Sequence, residues 1–167
     1  DKKTASGFAD KFITLIITAT VLIALFGILF SRQLVHFMGP DASPETSALA
    51  VKLTAIMFPM IIFTGIAFSF VGILQSYGEY NIPAIISLVS NIAIIIYYLL
   101  LGKKFGVVGL AVTMIIAWSL QVLIQIPSLI KLKFRYRPNF RFRDKHIWSA
   151  VLLAIPMLVS TWVQPLY

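Results

Sequence analysis

The stretch Leu74-Gln75-Ser76-Tyr77-Gly78-Glu79-Tyr80-Asn81-Ile82-Pro83-Ala84-Ile85-Ile86-Ser87-Leu88-Val89-Ser90-Asn91 sets a short polar turn between two long apolar runs. Pro83 suits the first turn of a helix, where a missing N–H leaves no bond unmade. The second run then carries a lone amide, Asn91. An amide at bilayer depth is costly unless it finds a partner or water, so Asn91 is expected to face protein or a wet cavity. Interhelical glue and cavity lining both fit it.

Outward from this stretch the whole chain is apolar. Of 167 residues, 59% are hydrophobic and 12% charged, against about 25% charged in a soluble domain; mean hydropathy is +0.93. Uncharged runs long enough to cross a bilayer core make the expected fold all-α, a polytopic transmembrane helical bundle. The expected spans are 12–31, 53–77, 82–102, 107–130 and 147–167. Asp1 opens the chain and an apolar run ends it at Tyr167, so it reads as a piece of a longer protein. With no cysteine, disulfides, thiolate metal sites and cysteine nucleophiles are excluded.

Between the runs lie connections of differing character. Residues 32–52 read as a loop, with a helix stop at Gly39-Pro40 and a start at Ser43-Pro44-Glu45, where the hydroxyl can cap and the acid suits a helix N-terminus. His36 has no ligand partner at metal spacing and reads as interfacial. Gly102-Lys103-Lys104-Phe105-Gly106 is short enough to force antiparallel neighbours. Pro59 and Pro127 are expected to bend their helices, as is Pro156. Gly65 with Ser69, and Gly72 with Ser76, have the small-residue spacing that lets helices approach closely in lipid. Thr14 and Thr18 share a helix face and are expected to bond back to their own helix carbonyls. Gln121, Gln125 and Ser128 share another face.

The basic residues sort by side. Lys2, Lys3 and Lys11, with Lys131, Lys133, Arg135, Arg137, Arg141, Arg143 and Lys145 of the 131–146 loop, fall on one side of the expected topology. Arg32, Lys52, Lys103 and Lys104 fall on the other. The positive-inside rule then makes the N-terminus and the basic loop cytoplasmic. Within that loop Phe134, Tyr136, Phe140 and Phe142 alternate with the bases, a pattern suited to a juxtamembrane segment on anionic headgroups rather than to nucleic acid. Membrane lipids are therefore expected partners and nucleic acid is not, despite the net charge of +8.

No catalytic constellation is present: there is no phosphate-cradling Gly-rich loop, no carboxylate pair within a span and no nucleophile beside a base. Neither a cofactor nor a metal is expected. None of the six acids lies inside an expected span, which disfavours an ion relay built from this segment.

Leu74, Gln75, Gly78, Pro83 and Ala84, followed by Asn91, resemble the signature of the MurJ/MviN lipid II flippases, within the multidrug/oligosaccharidyl-lipid/polysaccharide exporter superfamily; Tyr80 stands where phenylalanine is usual. Phe58-Pro59, Gly106 with Gly109-Leu110-Ala111, and Ile126-Pro127 are similar to the family as well. The resemblance implies that the five spans match the third to seventh of a two-lobe transporter in the bacterial cytoplasmic membrane, mostly from its N-terminal lobe. It implies alternating-access movement of undecaprenyl-pyrophosphate-linked peptidoglycan precursor, and admits proteins of cell-wall synthesis as partners. The family's cavity arginines belong to spans outside this chain, which leaves Asn91, Gln121 and Gln125 as cavity candidates. Two alternatives stay open: a related exporter of another polyprenyl-linked oligosaccharide or of a drug, and a non-transporting scaffold for cell-wall assembly.

Overall fold

The computed structural model describes residues 2–140, 147–149 and 152. The described residues build an all-α protein: α1 (Lys2–Leu29), α2 (Ser31–Met38), α3 (Pro44–Met57), α4 (Met60–Ser76), α5 (Asn81–Leu100) and α6 (Gly102–Lys131). Four stretches are long and apolar enough to cross a bilayer, namely Gly7–Leu29, Pro44–Ser76, Asn81–Leu100 and Gly102–Lys131. It is a polytopic helical membrane protein. The expected fifth span, 147–167, lies outside the described residues except at 147–149 and 152, as do Pro156 and the loop bases Arg141, Arg143 and Lys145. The chain divides into two compact units, Asp1–Leu15 with Tyr136–Tyr167, and Ile16–Arg135.

Three expectations are corrected by the helix boundaries, the first being that Gly102–Gly106 is not a connection but the opening of α6, up to a break at Gly106. Residues 32–52 are mostly helical, and the connection shrinks to the few residues between α2 and α3. Apolar run length reports hydrocarbon depth, not helix, so Arg32 and Lys52 interrupted the run without interrupting the backbone. The start at Ser43 is as expected: its Oγ accepts the Thr46 N–H at 3.3 Å, Pro44 opens the helix and Glu45 sits in its first turn. α1 likewise begins at Lys2, which places Asp10 within the apolar reach Gly7–Leu29 instead of ahead of it. One of the acids is therefore inside a candidate span.

Pro59 separates α3 from α4 within one long apolar stretch. It has no N–H for the Ala55 carbonyl, and the chain crosses the gap through shorter bonds, Ile61 N–H to Phe58 O and Ile62 N–H to Pro59 O, both 3.1 Å. The Phe58 ring lies against Gly27 of α1, where any Cβ would collide with it. Pro127, by contrast, sits inside α6 without ending it.

The turn after α4 explains the signature residues. Glu79 N–H reaches Leu74 O at 2.9 Å and Gly78 N–H reaches Gln75 O at 3.0 Å, the paired bonds of a glycine-terminated helix. Gly78 has φ of 80°, a conformation that disfavours residues with a Cβ. Pro83 then falls in the first turn of α5. α6 ends with the same bond pattern, Phe134 N–H to Leu129 O and Lys133 N–H to Ile130 O, but with Lys133 in the glycine-like position at φ of 56°.

α5 and α6 pack against each other, and α6 also against α4. Ala67, Ala111 and Ala117 are buried in unit Ile16–Arg135, together with Leu74, Ile86 and Tyr97. The two small-residue pairs differ in use. A Cβ on Gly65 would stand 2.9 Å from Cγ2 of both Ile16 and Thr20, whereas Gly72 has nothing within 4 Å. Gly65→Ala is expected to cost about 1 kcal/mol as those side-chain tips shift. Gly72→Ala is expected to be neutral or to stabilise by about 0.5–1 kcal/mol through helix propensity. Thermal unfolding of the intact protein in detergent measures both.

Candidate functional site

Gln121 and Gln125 lie one turn apart on α6, and both are buried. The spacing aims both amides at one helix face. Gln125 is 0% exposed; its Nε2 donates to Gln121 O at 2.9 Å and crosses to Ala67 O of α4 at 3.3 Å. Its Oε1 is buried without a partner among the described residues. Because both neighbours of the amide nitrogen are carbonyls, the donor end of the amide has to face them, and the orientation is fixed by chemistry. The buried Ser69, also on α4, bonds back to Gly65 O at 2.7 Å. Phe68 and Trp118 meet alongside, with ring centroids 6.2 Å apart. α4 and α6 thus carry a polar seam within an apolar contact.

Asn91 stands elsewhere. It is exposed on α5, as is Ser87 one turn before it, while Ile86 and Tyr97 supply the buried face of that helix. The structure brings the two glutamines together and leaves Asn91 bonded to neither. Of the signature residues, Leu74 is buried, Gln75 and Gly78 shape the turn, Pro83 sits in the first turn of α5 and Ala84 is exposed. The signature up to Ala84 therefore records a helix–turn–helix corner.

A second piece of the family pattern has a similar cause. Gly106 adopts φ of 53° and ψ of −146° within α6, a region essentially closed to residues with a Cβ. The Tyr97 hydroxyl donates to its carbonyl, and Gly109, one turn on, gives the Tyr97 ring room.

In unit Asp1–Leu15 with Tyr136–Tyr167, a polar cluster appears that sequence spacing did not reveal. Thr14 Oγ1 donates to Asp10 O at 2.7 Å, the expected back-bond, and also accepts the Asn139 N–H at 3.1 Å. With its single hydrogen engaged, Thr14 takes the Tyr136 hydroxyl, 2.8 Å away, as a second donor. Asp10 Oδ1 accepts the Arg137 N–H at 3.0 Å. Asp10 and Thr14 are both buried. Apart from the Tyr136 hydroxyl, the distant partners are backbone N–H groups, so the only advance sign was an acid and a threonine one turn apart.

The bases of the following segment are on the surface: Lys131, Lys133, Arg135 and Arg137 are exposed, while Leu132, Phe134 and Tyr136 are partly covered. Among the described residues no three His, Cys, Asp or Glu side chains group as a metal site.

The chain matches the family model described as lipid II flippase MurJ over residues 1–166. It is 30% identical over 169 residues to the probable lipid II flippase MurJ of Rickettsia prowazekii, covering 99% of this chain and 33% of that protein. The corresponding protein of Buchnera aphidicola subsp. Schizaphis graminum is 31% identical over 137 residues, covering 80% of this chain and 26% of the relative. The lipid II flippase MurJ of Burkholderia cenocepacia is 29% identical over 126 residues, 73% of this chain and 24% of its own length. The chain thus spans about a quarter to a third of the curated relatives it matches. With four membrane-length apolar stretches and a family match running almost end to end, the chain belongs to the MurJ lipid II flippase family.

Proposed function

We propose that the intact protein is a lipid II flippase, which moves undecaprenyl-pyrophosphate-linked peptidoglycan precursor from the inner to the outer leaflet of the bacterial cytoplasmic membrane by alternating access between two lobes. The match to the family model over residues 1–166 carries this reading. The physical task suits a bundle with polar seams. A pyrophosphate-sugar headgroup cannot cross about 30 Å of hydrocarbon unaided, and a cleft lined by polar side chains removes that barrier while the lipid tail stays in the bilayer.

In this reading the chain is part of the N-terminal lobe, with a fifth span at 147–167, and is a transporter segment with no enzymatic step. The N-terminus and the 131–146 loop face the cytoplasm, as the ten bases on that side against four on the other support. Lys131, Lys133, Arg135, Arg137, Arg141, Arg143 and Lys145 meet anionic headgroups. Asn91, exposed on α5, lines the cavity; of the buried pair Gln121 and Gln125, Gln125 ties α6 to α4. Proteins that make and consume the precursor are the proposed partners.

The test is rescue: the intact protein is expressed in bacteria depleted of their lipid II flippase, with lysis and the leaflet distribution of lipid II followed together. Survival with precursor in the outer leaflet supports the proposal, and lysis despite verified membrane expression overturns it. In the same assay Asn91→Leu is expected to reduce outer-leaflet precursor about tenfold at unchanged protein level, the size of one lost polar contact.

A further inference from the structure

We propose that Asp10 and Thr14 form a latch that holds the Tyr136–Asn139 stretch in extended form and so presents Arg137 to an anionic lipid surface. This deepens, and rests on, the assignment of the basic segment to anionic headgroups.

The register of the latch comes from geometry. Residues four apart on a helix are separated by about 6 Å along its axis. Residues two apart on an extended chain are separated by about 6.6 Å. Asp10 and Thr14 therefore offer acceptors at nearly the spacing at which Arg137 and Asn139 offer N–H groups, and both bonds form, at 3.0 and 3.1 Å. Pro138 falls between them and has no N–H to leave unpaired. It also holds Arg137 in the extended region. Tyr136 closes the cluster from the side through its hydroxyl bond to Thr14.

Without these acceptors, backbone N–H groups near a membrane would lack partners, which disfavours the extended form. With them in place the Arg137 side chain is exposed while Tyr136 and Asn139 are partly covered. Residues 131–140 contain no acid to pair with their four bases. An anionic bilayer surface complements that charge.

Asp10 and Thr14 are thus positioning residues, and the test separates holding from presentation. The intact protein is reconstituted in phosphatidylcholine vesicles with rising phosphatidylglycerol, and tryptic cleavage of the Arg135–Tyr136 bond is followed by mass spectrometry. Asp10→Ala and Thr14→Val are expected to speed cleavage about tenfold, the effect of losing a buried charged or saturated hydrogen bond, and to raise the phosphatidylglycerol fraction needed for protection. Asp10→Asn and Thr14→Ser keep an acceptor oxygen and are expected to behave as the parent.

Unchanged cleavage in both disruptive variants overturns the latch. Faster cleavage with an unchanged phosphatidylglycerol requirement overturns presentation, leaving only a brace. If Arg137→Gln in the otherwise intact protein leaves the phosphatidylglycerol dependence as it was, the lipid assignment itself fails. Should Asp10→Ala not accumulate, Thr14→Val against Thr14→Ser decides the matter.

Discussion

Gly109→Val is expected to open the α5–α6 hairpin, lowering stability by about 3 kcal/mol and sharply reducing accumulation of the intact protein. A Cβ at this position would stand 2.5 Å from the Cβ of Phe105 and closer still to the Tyr97 hydroxyl. Phe105 Cβ is one bond from the backbone and cannot swing aside, so the strain has to be met by Tyr97 or by the helix itself. If Tyr97 moves, its bond to the Gly106 carbonyl is lost, beside a backbone already in a glycine-only conformation. Tyr97→Phe isolates that part and is expected to cost about 1 kcal/mol. Thermal unfolding in detergent distinguishes the two; equal effects would mean that the hydroxyl, not the crowding, dominates.

Gln125→Glu is expected to be the most damaging change at the polar seam, on the order of 3–5 kcal/mol. The amide nitrogen serves two carbonyls, Ala67 O and Gln121 O. A carboxylate there replaces a donor with a third acceptor and buries a charge with no counterion. Gln125→Leu should fall within about 1 kcal/mol of the parent, because it loses those bonds but also removes the unpartnered Oε1. Comparing the two melts reads whether the position needs a donor or merely bulk. If the leucine variant is stable yet no longer rescues flippase-depleted cells, the amide acts in transport as well as in packing.

Sequence reasoning reached the elements with strong local marks. Ser43-Pro44-Glu45 announced a helix start because capping chemistry is local. Gly102–Gly106, read as a short link, opens α6 up to the break at Gly106, but the expected neighbours α5 and α6 do pack, and the spacing of Gln121 and Gln125 placed both on one face. What escaped it lacked such marks. α2 was hidden by Arg32, and the reach of the apolar span back to Pro44 by Lys52, since charge interrupts hydropathy but not helical hydrogen bonding. The contrast between Gly65 and Gly72 needs the neighbouring helix, which the repeated spacing could not supply. Asp10 and Thr14 meet backbone N–H groups, which every residue but proline carries, so nothing in the sequence singled out their partners.

The break at Phe58–Pro59 also bears on membrane thickness. The Pro44–Ser76 stretch has 33 residues, about 50 Å if continuous, against a hydrocarbon core of about 30 Å. α3 with 14 residues and α4 with 17 extend about 21 and 25 Å, so neither crosses alone and both together overshoot. The surplus can be taken up as a change of angle at the break, which leaves α4 free to keep its register with α6 at Gln125. Since α3 and α4 both pack against α6, in a thinner or thicker bilayer the angle at the break is where hydrophobic mismatch is absorbed.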